Sequence, residues 1–186
     1  MLNKLFKRTS ATPKDAASKP MTVAEYDQAL IGAAVDTANT GDIAPLKAAM
    51  TATGYAPDIR ILTAALATTI SQSCLESAKG APIEALEMLV KAGAIVDTET
   101  GWMGEPCSRD GFFYKGWYDP FVQAAWAAQK RDCGKQHLDF VLHKGVKAKS
   151  AIRVAEHFSG VIPEAFVVTA KNVSAQGKGH MRLAVM

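Results

Sequence analysis

The sequence predicts an all-α fold of short helix-turn-helix units, and three observations carry that prediction. Apolar residues recur at three- and four-residue steps in one short segment after another, the spacing that lines one face of a helix. Gly, Pro and Asp separate those segments at positions that suit helix caps. The 186 residues, with 48% apolar side chains, are enough for one cored domain or two very small ones.

The first helix is predicted from Thr22-Val-Ala-Glu25, a capping-box pattern ahead of Tyr26, Leu30, Ile31 and Ala34. Asp42 or Gly41 restarts a helix that carries Leu46, Ala49 and Met50 and stops at Gly54. Asp58 suits the cap of a third, in which Ile59, Leu62, Leu66 and Ile70 form one apolar stripe. Pro82 opens a fourth, with Ile83, Leu86, Leu89 and Val90, and Gly93 ends it.

Asp119-Pro120 repeats the start signal before Phe121, Ala124, Ala125 and Ala128. The next helix holds Leu138, Val141 and Leu142 and ends at Gly145. A weaker last pair contains Ile152, Ala155 and Phe158, then Ser159-Gly160, then Pro163 to about Thr169. Residues 1–20 are predicted to be a flexible basic leader, 21–171 the helical domain with an insertion at 98–118, and 172–186 a tail in which Leu183-Ala-Val185 can add an extended segment.

The second helices of the pairs resemble one another. PLKAAMTATGYAPD (Pro45 to Asp58), EALEMLVKAGAIVD (Glu84 to Asp97) and KQHLDFVLHKGVKAK (Lys135 to Lys149) each place a Leu seven or eight residues before a Gly. Gly54, Gly93 and Gly145 stand 39 and 52 residues apart, and removing about twenty residues at 98–118 brings the second interval near the ~33 of an ankyrin array. Leu86 to Asp97 is similar to the end of an ankyrin repeat, and Asp119-Pro120-Phe121-Val122-Gln123-Ala124 to its T-P-L-H-x-A start. The resemblance implies three degenerate repeats and a partial fourth, stacked as a small solenoid. Val122 stands where the motif has His and Asp119 where it has Thr, and the first and last repeats lack the Pro-Leu-His element. A generic helical bundle is the alternative. The small faces of Ala64, Ala65 and Ala67, and of Ala124, Ala125, Ala127 and Ala128, suit helices stacked closely against neighbours.

The insertion from Thr98 to Tyr118 holds six of the fourteen aromatic residues of the chain, along with four glycines. Glycines break regular structure while aromatic rings favour burial, so a folded loop is expected, with Asp110-Gly111 suited to a small hairpin. The ankyrin resemblance places this segment where that family contacts partners. The candidate partner-binding residues are Trp102, Arg109, Phe112, Phe113, Tyr114, Lys115, Trp117 and Tyr118, because Trp, Tyr and Arg dominate binding hot spots. Two readings stay open: the rings form an interface, or they fill the gap between irregular repeats.

Chemistry signals are thin. Cys133 and His137 stand four apart, but Gly134 suggests an inter-helix turn, and zinc needs about four ligands, so no metal site is expected. Gly177-Lys178-Gly179-His180 lacks the spacing and the Ser/Thr of a P-loop, and no cofactor is expected. Lys178, His180 and Arg182 form a small basic patch. Cys74, Cys107 and Cys133, odd in number and without a CxxC pair, read as free thiols in a reducing cytoplasm.

The formal charge of +3 divides into +4 in residues 1–20 and −1 in residues 21–186. That near-neutral body argues against a nucleic-acid partner. No apolar run approaches the ~18 residues of a membrane span, and the leader lacks the apolar core of a secretory signal. The function expected is therefore a non-catalytic protein-protein interaction module, able to mask a partner as an effector or a phage- or mobile-element-encoded inhibitor would. The alternatives are a small enzyme using Cys107, or Glu105 and Asp110, with a histidine, and a structural subunit of a larger assembly or homo-oligomer.

Overall fold

Helix α1 (Val23–Thr40) starts where the Thr22 to Glu25 spacing predicts. The Glu25 amide donates to the Thr22 hydroxyl at 3.3 Å, and the Thr22 amide donates back to the Glu25 carboxylate at 2.6 Å. These bonds satisfy two donors that a bare helix end leaves open. The structure, a computed structural model, describes residues 21–52, 54–98, 119–177 and 180–181.

Helix α2 (Ala44–Met50) is led by Asp42, whose carboxylate accepts from the Ala44 amide at 2.9 Å. It stops at Thr51 rather than Gly54. Helix α3 (Ile59–Ser73) is capped by Asp58, which accepts from the Arg60 amide at 2.7 Å. Helix α4 (Ile83–Lys91) follows Pro82 and closes with paired turn bonds, from the Gly93 amide to the Val90 carbonyl and from the Ala94 amide to the Leu89 carbonyl. Gly93 has φ 118, a conformation that a side chain would strain.

Helices α5 (Pro120–Ala128) and α6 (Asp132–Lys144) form a hairpin. Gly134 lies in the first turn of α6, not in the inter-helix turn that its sequence context suggested. The reason is steric: a Cβ there would sit 2.2 Å from the carbonyl carbon and oxygen of Ala127, so only glycine admits this approach of α6 to α5. Strand β1 (Val146–Lys147), helix α7 (Ala148–His157), helix α8 (Glu164–Ala175) and strand β2 (His180–Met181) complete the described residues. The two short strands pair antiparallel, Val146 with Met181 and Lys147 with His180. Helix α8 runs past the boundary at 171 that the sequence suggested, and Leu183 to Val185 lie outside the described residues.

The fold is mostly helical, and its neighbours follow a simple order. Helices α1, α3 and α5 pack in succession, while α2, α4 and α6 lie against α1, α3 and α5 respectively; α7 packs on α8. Leu30, Leu46, Leu66, Ile70, Leu86, Leu89, Phe121 and Leu142 are fully buried. Each such side chain contributes on the order of 2 kcal/mol. The alanines singled out in α3 and α5 are also buried, so the cores between helices are thin and depend on close approach.

Candidate functional site

The insertion leaves and rejoins the helices at one buried carboxylate. After α4, the Ile95 amide donates to the Thr63 hydroxyl on α3 at 3.0 Å, which directs the chain back along the core. Three residues on, Thr98 donates to Asp119 Oδ2 twice, from its amide at 2.9 Å and from its hydroxyl at 2.7 Å. The other oxygen, Oδ1, accepts from the Val122 amide at 3.1 Å and caps α5. Asp119 therefore starts a helix and clamps together both ends of the segment between Thr98 and itself.

Asp97, next to the clamp, faces the other way. Its carboxylate accepts from the Lys147 amide at 2.7 Å and the Ser150 hydroxyl at 2.9 Å, which ties the start of α7 to the turn after α4. Both aspartates are buried. Burial pushes the Asp119 carboxyl above the usual carboxylate range, the Thr98 and Val122 hydrogen bonds oppose that rise, and the Asp97 charge adds to it. Sequence reasoning identified Asp119 as a cap. It missed Asp97 and Thr98, because their partners are 50 and 21 residues away.

The candidate partner-binding residues Trp102, Arg109, Phe112, Phe113, Tyr114, Lys115, Trp117 and Tyr118 lie outside the described residues, as do Glu105, Cys107 and Asp110. What the structure defines is the base on which they stand. The six aromatic rings belong to a segment whose two flanking residues are held within hydrogen-bond distance of each other.

The described thiols and histidine near the α3–α4 connection serve packing. Cys74 ends α3, and burial, with Cys133 nearby, pushes its thiol up to about 11, so it is protonated at neutral pH and a poor nucleophile. Cys133 donates its Sγ–H to the Ser73 carbonyl at 3.3 Å. Four residues on, His137 Nε2 donates to the Ala81 carbonyl at 3.0 Å, since a carbonyl only accepts. His137 is fully buried, which lowers its pKa and keeps it neutral, with Nδ1 unpartnered among the described residues. Arg131 adds hydrogen bonds to the carbonyls of Leu75 and Ala78, both at 2.7 Å. Among the described residues no cluster of three or more His, Cys, Asp or Glu side chains is arranged to hold a metal.

An open groove of about 470 Å³ runs between α1 and α2, lined by Tyr26, Ala29, Gly32, Asp36, Ala48 and Ala49. At one end Tyr26 stacks on Tyr55 with centroids 4.9 Å apart, and the Tyr55 hydroxyl donates to Asp27 at 2.5 Å. Its walls are mainly methyl groups and it lacks the convergent polar set that fixes a small ligand. No helix among the described residues is long and apolar enough to cross a membrane. No family model, no curated protein and no solved structure matches the chain.

Proposed function

We propose that the protein is a non-catalytic binding module, built of ankyrin-like helix pairs, that presents residues 98–118 to a partner protein and masks part of that partner's surface. The observation that carries this reading is the clamp. A segment with six aromatic residues is closed at its base by two hydrogen bonds to one buried carboxylate, so its ends are fixed to rigid helices. Fixing the ends lowers the ordering cost of binding. The succession of α1, α3 and α5, each with its following helix alongside, supports the repeat reading.

The test separates binding from packing. Wild type and a Trp102→Ala, Trp117→Ala, Tyr118→Ala variant are used to capture partners from the native host. The partner so identified is then titrated against both proteins while their melting temperatures are compared. The expected result is partner affinity at least about a hundredfold weaker at an unchanged melting temperature, as loss of aromatic hot spots implies. Parallel loss of folding assigns the rings to packing and contradicts the proposal. Partner affinity should depend only weakly on salt, because the insertion carries a formal charge of −1.

A further inference from the structure

Helix α1 contains a glycine that its own packing does not require. Gly32 lies in the middle of α1, where glycine weakens a helix relative to alanine. Unlike Gly134, it faces no crossing backbone: among the described residues nothing comes within 4 Å of where its Cβ would stand. The open space over it belongs to the groove between α1 and α2, where Ala29, Gly32 and Ala48 are all exposed. A floor without long side chains lets a further apolar segment come close to the α1 backbone. We infer that this groove is the docking site of the chain's own leader, residues 1–20, which lays Leu2, Leu5 and Phe6 along it and sets its cations against the acids around α1.

Reach, charge and apolar spacing select the leader as the occupant. Met21, the residue that follows the leader, itself lines the groove and is 44% exposed, so the leader departs from the edge of the groove. Residues 7–20 between Phe6 and Met21 can extend about 45 Å, whereas Tyr26 to Asp36 is only about 15 Å of helix. The leader can therefore place Leu2 to Phe6 anywhere along the groove. Its charge is +4, while residues 21–58 carry Glu25, Asp27, Asp36, Asp42 and Asp58 against Lys47, a net of −4. Asp36 lines the groove, and none of Glu25, Asp27, Asp36 and Asp42 makes an ion pair among the described residues. Leu2, Leu5 and Phe6 stand three and four residues apart, the spacing that puts apolar side chains on one side of a segment that runs along α1. Tethering also holds the leader at a local concentration of about millimolar, which a second copy or a separate protein at micromolar concentration does not match. This docking involves neither Asp119 nor residues 98–118 and stands apart from the proposed partner surface.

Site-specific photocrosslinking of the full chain tests the inference. A benzophenone amino acid replaces Phe6, the protein is irradiated at micromolar concentration, and the crosslinked residues are mapped by mass spectrometry. Crosslinks should form within single chains and fall mainly on residues 26–52. Gly32→Leu fills the groove from α1 and Ala48→Leu fills it from α2. Either should lower that crosslink yield at least about fivefold, because a leader side chain then meets occupied space. Neither should lower the melting temperature, since Gly32→Leu improves helix propensity and Ala48 is exposed. Leu2→Ser with Leu5→Ser alters the leader alone and should reduce the yield in the same way. Crosslinks between two chains, crosslinks concentrated outside residues 26–52, no crosslink at all, or yields unchanged in these variants would each overturn the assignment.

Discussion

Asp119 shows how much one side chain decides. Its carboxyl accepts three hydrogen bonds from two segments while 2% exposed. A carboxyl pKa raised by burial means that the fold favours the protonated form. The stability linked to this group is then fully present below the ordinary carboxylate value and is lost as pH rises through the raised folded value. His137 acts in the opposite sense: burial lowers its pKa, so its contribution is lost as pH falls below the usual histidine value. Comparing wild type with Asp119→Asn cancels the His137 effect. Urea unfolding at stepped pH should show the stability of wild type relative to Asp119→Asn declining as pH rises through the mildly acid range and flat above it. In Thr98→Ala, which removes the hydroxyl bond opposing the shift, stability falls by about 1 kcal/mol and the decline moves to higher pH. A difference that grows with pH contradicts this account of the clamp.

At the level of elements, the helix starts were legible because their signals are local. Thr22 with Glu25, Asp58, and Asp119 with Pro120 each satisfy amides within three residues. The ends at Gly93 and Gly145 were legible for the same reason. What the sequence hid is contact at long range. Asp97 reaches α7, and Arg131 reaches the end of α3, through partners fifty or more residues away. Gly134 misled because glycine signals a turn when read locally, whereas here it permits a crossing. Its test is Gly134→Ala, which improves local helix propensity yet places a methyl group against the backbone of α5. The melting transition should show a loss of about 2–3 kcal/mol, the magnitude of an overpacked contact. A stabilised variant would mean that α5 and α6 are not held at this distance.

Across the whole molecule, the all-α class and the order of helix pairs were visible in periodicity, whereas the charge division was visible but averaged away. A net of −1 over residues 21–186 conceals −6 followed by +5, and the distribution rather than the sum sets the local field. The candidate site was legible only as a composition, six aromatic residues in one insertion, because no local signal states whether rings face a partner or the core. The structure supplies its base, with both ends at Asp119.

The central claim, that the aromatic insertion is a partner surface on a helical base, is tested most directly by tryptophan accessibility. The chain has three tryptophans, and Trp126→Phe leaves Trp102 and Trp117 of the insertion as the reporters. Acrylamide should quench their emission in the free protein nearly as well as in the urea-unfolded chain, and addition of the captured partner should protect them. Weak quenching and blue-shifted emission in the free protein, unchanged by the partner, would contradict the claim and place the rings in the core.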